Sequence, residues 1–451
     1  MIAMTVSEIA AIVGGTLTGV GSGSVTGVRK DSREDCDGCL YLAIPGKNVD
    51  GHDFIGAAFD KGAVCALANR VPAEENRPVI VVPDVEAALR TLAEAYRKRL
   101  NMPVIGITGS VGKTTTKEMV ASVLAQGYCV HKTEKNFNNE LGVPLTLLQI
   151  ESEHQVSVVE IGISDFGEMT RLARMVRPTM AVYTVIGHSH LEKLRDRNGV
   201  LQAKTELLNF LPTDGVVFAN GDDDLLSQLN CRQKRVFFGR GCENAVRAEN
   251  VVSQGLYGTD CDIVYGRRRI AVHIPAYGGH MVYAALAGAA VGIEMGLSDS
   301  GIAAGIAAYM PVGRRASVTD TGCLTLIDDC YNANPDSVRA AIDSMSGFLG
   351  RKVCILGDML ELGSDSETLH RAVGIYAAER GTELVISAGP LSESVTAAAM
   401  KAGAKARHFS DVEGLIEALP ELLHRGDAVL VKASHSMRFE RISEALKELK
   451  V

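Results

Sequence analysis

An unbroken apolar run, residues 103–108, ends in Gly109-Ser-Val-Gly112-Lys113-Thr114, and helical spacing continues from Thr115 to Gln126. Strand, glycine-rich turn and helix in that order open a parallel nucleotide-binding sheet. Further apolar runs at 156–161, 180–186 and 215–219 read as buried strands separated by helical segments. Residues 231–274 read as richer in strands, and 281–295 as a helix. Before this unit, Thr5-x-x-Glu8 ahead of an apolar stretch predicts a capped helix start. Strands are expected at 40–44, 63–68 and 78–83, with helices over 54–62 and 85–100. Around Pro311-Val-Gly313-Arg314 the pattern resets. Strands at 324–328, 352–356, 384–387 and 428–431 then alternate with helices such as 335–348, which predicts another parallel α/β unit. The reading is an α/β chain of three domains, 1–101, 102–312 and 313–451, with no short repeat. A length of 451 residues agrees, at about 150 residues per domain.

Composition changes little. Hydrophobic residues make up 46% and charged residues 22%, as in an ordinary globular protein. The formal net charge of −8 is scattered without a basic run, which argues against a nucleic-acid or anionic-membrane surface. Residues 1–15 lack a basic flank, Glu8 interrupts their apolar stretch, and 281–293 is too short to span a bilayer. A cytoplasmic address and no membrane insertion are expected. The ten cysteines show no disulfide-like framework, and the lone Cys36-x-x-Cys39 pair reads as ordinary thiols.

The turn at 109–114 carries the first chemistry. Its glycines let successive N–H groups face phosphate oxygens, and the helix behind adds the positive end of its dipole. Gly109, Ser110, Val111, Gly112, Lys113, Thr114 and Thr115 are therefore candidate ATP contacts. Lys113 can reach the β- and γ-phosphates, and the Thr114 hydroxyl can ligate Mg²⁺. The loop is a shortened variant, because Ile107 stands where the full pattern has a glycine. Glu160 ends a buried strand, where ligands bind in open α/β sheets, and a metal ion is a natural partner for its charge. His188 and His190 follow the next strand, and either could ligate. The triple Asp222-Asp223-Asp224 reads as a solvated turn.

Several stretches together resemble the Mur ligases, of the MurF type, over nearly the whole chain. They are DSR at 31–33, DGHDF at 50–54, TGSVGKTTTKEM at 108–119, NFNNELGVPLTLL at 136–148 and EIGISDFGEM at 160–169. SHLE at 189–192, AKTEL at 203–207, DDCYNANPDS at 328–337, GDMLELG at 357–363 and VLVKAS at 429–434 continue the match. The resemblance implies a UDP-substrate domain, a central ATPase domain and a C-terminal Rossmann-like domain. It implies an ATP-dependent ligase of peptidoglycan biosynthesis that joins D-alanyl-D-alanine to UDP-N-acetylmuramoyl-tripeptide through an acyl phosphate. It further implies Mg²⁺ on Thr114 and Glu160, a second Mg²⁺ at His190, and a carbamylated Lys204 as a further metal ligand. By the same likeness Arg314 reaches the transferred phosphate, Asp329 binds ribose, and Asn332 and Asn334 line the nucleotide cleft beside His280. Ser32, Arg33, Asn48 and His52 are candidates for the UDP side, Asn138 and Asn139 for the muramoyl peptide, and Asp358 and Lys432 for the active site. One stretch departs from the family: Met281 and Ala284 stand where amides are usual, so Tyr283 is the candidate stacking face for adenine. The alternatives are another amide ligase of Mur or folylpolyglutamate type that adds a single amino acid, and a P-loop switch without a covalent product. A monomer is expected, its C-terminal domain swinging toward the ATP site.

Overall fold

A computed structural model describes residues 1–19, 23–46, 49–72, 75–315 and 317–450. Among the described residues three larger sheets follow one another along the chain, beside a small antiparallel pair of Met4–Thr5 with Ser24–Val25. The first has strand order Thr16–Thr18, Val79–Val81, Cys65–Ala68, Cys39–Leu42, Gly27–Arg29, antiparallel only in its first pair. The helix Val6–Val13 precedes it, and the Thr5 hydroxyl accepts from the Glu8 N–H as the capping pattern predicts. The helix Val85–Arg99 follows, capped by Asp84.

The central sheet has nine strands. Its parallel part runs Lys234–Gly239, Val216–Asn220, Met180–Tyr183, Val104–Thr108, Val156–Glu160, Val130–Lys132. Val246–Ser253 pairs parallel with Lys234–Gly239, and Thr259–Tyr265 and Arg268–Ile274 extend the edge antiparallel. The Ala- and Gly-rich helix Met281–Glu294 is buried on almost every side, packed on the helix Lys113–Leu124. Close approach is built into this layer: a Cβ on Gly305 would collide with the Val123 backbone. Among the described residues no helix is long and apolar enough to cross a membrane.

The third sheet runs Ser317–Asp320, Thr325–Asp328, Ala428–Lys432, Lys352–Gly357, Leu384–Ala388, Lys405–Phe409, antiparallel only in its first pair. Helices cover both faces, giving two apolar cores.

One hydrophobic core joins the first unit to the second, because Leu89, Leu92 and Tyr96 pack with Val143, Leu147, Leu172 and Val176. Buried Arg97 seals the seam. Its guanidinium donates to the carbonyls of Val176 at 2.8 Å, Arg177 at 3.1 Å, Leu100 at 2.8 Å and Met102 at 3.4 Å. Across the next seam, His188 Nδ1 lies 3.1 Å from Asp336 and His190 Nδ1 lies 2.6 Å from Glu361. Tyr277, from the loop after the last central strand, inserts into the C-terminal core against Phe348.

Candidate active site

Parallel register decides what surrounds the loop. Glu160 pairs with Ile107 on one side of the central strand, and Tyr183 pairs with Thr108 on the other. The segments 160–164 and 184–190 therefore leave the sheet at the same edge as the loop 109–114. Gly109 and Gly112 have φ of 151° and 82°, conformations that L side chains rarely adopt. A Cβ on Gly109 would also strike the Thr184 hydroxyl, which donates to the Val111 carbonyl at 2.6 Å. Ser110 holds the loop to the next crossing by donating to the Gly187 carbonyl at 3.2 Å and accepting from the Gly187 N–H at 3.0 Å.

Lys113 lies back over its own loop, donating to the Gly109 carbonyl at 2.8 Å. Burial lowers its pKa, Glu160 opposes that shift and Arg315 adds to it. Glu160 is 1% exposed. One carboxylate oxygen accepts from the Thr114 hydroxyl at 2.8 Å, the other from the Asn138 amide at 2.7 Å. Thr114 and Glu160, the two residues expected to share a Mg²⁺, thus lie side by side. Among the described residues the buried carboxylate has two neutral donors and no cation in hydrogen-bond contact. No group of three His, Cys, Asp or Glu among the described residues converges on a metal position. A hydroxyl and one carboxylate suit Mg²⁺, which keeps waters and takes phosphate oxygens for its remaining ligands.

These groups border one cavity of about 870 Å³, which also touches His190, Asn139, Glu168, Tyr283 and, from the C-terminal unit, Arg315, Asp329, Asn332, Asn334 and Lys432. Asp329 continues the strand Thr325–Asp328, its N–H donating to the Val431 carbonyl at 3.1 Å. The Lys432 ammonium lies 2.6 Å from the Asp329 carboxylate and donates to the Asn332 carbonyl at 2.9 Å. His280 borders the cavity too, its buried Nδ1 without a hydrogen bond among the described residues. Lys204 is 1% exposed, and burial together with the neighbouring Lys113 charge holds its pKa well below the lysine range.

Several predicted residues are used otherwise. Arg314 points away from the cavity, donating to the Glu440 carbonyl at 3.0 Å and pairing with Glu444 at 2.7 Å. Its neighbour Arg315 faces the cavity, its guanidinium 3.9 Å above the Tyr331 ring. A one-residue shift in a turn decides which arginine faces inward, and no periodicity in the sequence reports it. Asp358 is buried away from the cavity and accepts from the N–H groups of Leu391 and Ser392, a fold anchor. Asn334 caps the helix Pro335–Ser344, and Asn139 accepts from the Gly142 N–H at the start of the next helix. Tyr283 lines the cavity while donating to Asp222 at 3.0 Å. The aspartate triple lies in a turn with Asp222 and Asp224 exposed, as expected, but Asp223 is buried and accepts from Ile186, Leu225 and Leu226 N–H groups, tying two strand ends together.

Beside the first sheet, Ser32 and Arg33 sit in a turn, and His52 in the short helix Gly51–Phe54, on segments leaving the carboxyl ends of parallel strands. Asn48 lies outside the described residues. His52 is buried, its Nδ1 2.6 Å from Asp50 and its Nε2 accepting from the Asn69 N–H at 3.3 Å. Arg33 is exposed and hydrogen-bonded to Asp31, which lowers the Asp31 pKa to about 2. The Lys30 ammonium lies 5.4 Å from the Phe137 ring centre, so this edge abuts the 136–139 loop of the central unit.

The geometry coincides with a known sequence family. The profile of the Mur ligase family catalytic domain matches residues 24–97, that of the Mur ligase middle domain 107–292, and that of the Mur ligase glutamate ligase domain 313–435. The chain is 38% identical to the UDP-N-acetylmuramoyl-tripeptide--D-alanyl-D-alanine ligase of Bacillus subtilis, over 99% of each chain. It is 33% identical to the Escherichia coli ligase of the same name, again over 99% of each. Among solved structures, MurF from Acinetobacter baumannii superposes with a TM-score of 0.89 at 28% identity, covering 99% of each chain. MurF from Thermotoga maritima in complex with ADP gives 0.79 at 26%, covering 94% of this chain and 97% of that one.

Proposed function

The chain belongs to the Mur ligase family, and from that premise we infer that it joins D-alanyl-D-alanine to UDP-N-acetylmuramoyl-tripeptide at the expense of ATP. The products are the pentapeptide precursor of peptidoglycan, ADP and phosphate. The observation that carries the reading is the 2.8 Å contact between the Thr114 hydroxyl and the buried Glu160 carboxylate, inside a cavity bordered by the phosphate loop and the C-terminal unit.

The chemistry is a problem of like charges. A peptide carboxylate must approach the γ-phosphate, so cations have to offset the repulsion. A carboxylate oxygen attacks the γ-phosphorus, the bond to ADP breaks, and an acyl phosphate forms. The amine of D-alanyl-D-alanine then adds to the acyl carbon and loses a proton. The tetrahedral intermediate expels phosphate and leaves the amide. In this reading the loop N–H groups and Lys113 hold the triphosphate, and Lys113 leaves its resting bond to the Gly109 carbonyl to do so. Arg315 takes the part expected of Arg314 at the transferred phosphate. Asp329, held by Lys432, receives the ribose hydroxyls.

Thr114 and Glu160 would hold Mg²⁺, which when bound supplies positive charge beside the phosphates. His190 is the candidate for a second ion: a carboxylate on one ring nitrogen, here from Glu361, accompanies most metal-ligating histidines. Burial and the Lys113 charge depress the Lys204 pKa, which favours the neutral amine that carbamate formation needs. Ser32, Arg33 and His52 form the proposed UDP side, and the 136–139 loop joins it to the ATP cavity. We assign 1–101 to the UDP substrate, 102–312 to ATP and 313–451 to closure over both. Ten cysteines without a disulfide fit a reducing compartment, and we place the enzyme in the cytoplasm.

The test is ADP release with UDP-N-acetylmuramoyl-tripeptide, alone, with D-alanyl-D-alanine, and with single amino acids. Release that requires the dipeptide supports the reading. Equal release with single amino acids, or without any acceptor, contradicts it.

A further inference from the structure

Directly behind the phosphate loop lies a buried charged group that the mechanism above does not use. Lys117 is 1% exposed, an extreme position for a lysine. Its ammonium lies 2.8 Å from Glu118 and donates to the Thr133 carbonyl at 2.5 Å. The other Glu118 oxygen pairs with Lys132. Burial acts to raise the Glu118 carboxyl, but the hydrogen bonds from Lys117 and Lys132 outweigh it and leave the pKa below the ordinary carboxylate value. Thr133 is fully buried and connects this cluster to the site. Its N–H donates to the Val158 carbonyl at 3.0 Å, and its hydroxyl accepts from the backbone N–H of Glu160 at 3.0 Å.

Glu160 is the last residue of its strand. Its neighbour Ile161 is tied to the Ile107 carbonyl at 2.8 Å on the loop side, and nothing in the ladder with Val130–Lys132 reaches beyond Val158. The Thr133 hydroxyl therefore supplies a bond on that side just where the ladder ends. We propose that Lys117 and Thr133 are positioning residues, which fix the backbone at Glu160 so that its carboxylate stays beside the Thr114 hydroxyl in the geometry a divalent cation requires. The chain of contacts is Glu118 to Lys117, Lys117 to the Thr133 carbonyl, and the Thr133 hydroxyl to the Glu160 N–H. A cation of demanding geometry rewards this rigidity, because outer contacts of this kind set the orientation of the ligand itself. A lysine that merely satisfied a buried carbonyl would leave the metal dependence of nucleotide binding unchanged.

This inference rests on the proposed Mg²⁺ role of Glu160, so the experiment must separate the two. ADP binding is measured by titration calorimetry with excess Mg²⁺ and with EDTA, in the full-length protein and in Thr133→Val, Thr133→Ser and Lys117→Met. The wild type is expected to bind ADP more tightly with Mg²⁺. Thr133→Val keeps the side-chain shape but removes the acceptor, and should reduce that enhancement on the order of ten-fold while leaving affinity in EDTA unchanged. Thr133→Ser restores the hydroxyl and should restore the enhancement. Lys117→Met should lower it in the same direction, and it serves as the independent variant if Thr133→Val does not fold. A wild-type enhancement in Thr133→Val or Lys117→Met, or equal losses with and without Mg²⁺, overturns the inference and leaves the Mg²⁺ reading standing. No Mg²⁺ enhancement in the wild type overturns both.

Discussion

Arg314 and Arg315 are adjacent, carry the same charge and serve different ends, so alanine at each should divide stability from catalysis. Arg314 donates to the Glu440 carbonyl at 3.0 Å, pairs with Glu444 at 2.7 Å and lies 3.8 Å from buried Asp328. Glu444 is 60% exposed, so that pair contributes under about 1 kcal/mol. Asp328 is only 2% exposed, and leaving its carboxylate without the guanidinium costs about 1–3 kcal/mol. Together Arg314→Ala should destabilise the C-terminal unit by about 1–4 kcal/mol, with turnover of the folded fraction close to wild type. Arg315→Ala removes the stacking on Tyr331, about 0.5–1 kcal/mol, and with it a cation that borders the cavity. Turnover should fall by a factor on the order of 10²–10³, the usual consequence of deleting one transition-state donor. Arg315→Lys should recover part of it, because charge returns without the planar fork. Urea denaturation and steady-state phosphate release on the same preparations read both quantities. Arg314→Ala with normal stability and lost turnover, alongside an active Arg315→Ala, would refute the assignment of the inward arginine.

Three further outcomes follow from buried groups. Lys204→Met removes a buried polar amine and should raise stability by about 1 kcal/mol or more while abolishing ligation, read by denaturation and ADP release. Arg97→Met leaves carbonyls at the seam between the first two units unpaired, and should cost about 3–5 kcal/mol and speed amide exchange in the helix Val85–Arg99. Burial, with His154 beside it, lowers the His131 pKa to about 3, so the folded state holds this imidazole neutral while the unfolded chain binds a proton below about 6.5. Stability should therefore fall as pH drops from about 6.5 toward 3, with a slope of up to about 1.4 kcal/mol per pH unit from this group, and His131→Phe should flatten it.

The phosphate loop was legible because three local rules agree there: a continuous apolar strand, glycines at left-handed positions, and a helix start. Glu160 was legible for the same reason, as a charge closing an apolar run. The strand Lys405–Phe409 escaped notice because it lies at the sheet edge and is only partly covered, so its pattern carries no clear period. Asp223 was misread because three consecutive acids resemble a solvated run, whereas this one is buried and accepts from the Ile186 N–H just beyond the neighbouring strand. Asp358 was misjudged because a buried aspartate that anchors a loop looks, in sequence, like one that serves chemistry. Lys117 and Thr133 depend on contacts between segments sixteen residues apart, which spacing along the chain does not encode.

The acyl phosphate is tested most directly by following oxygen. UDP-N-acetylmuramoyl-tripeptide is prepared with heavy oxygen in its terminal carboxylate and turned over with ATP and D-alanyl-D-alanine, and the released phosphate is analysed by mass spectrometry. Activation of that carboxylate beside the phosphate loop predicts one heavy oxygen carried into each phosphate formed. Phosphate without the label, released at the rate of amide formation, would contradict it.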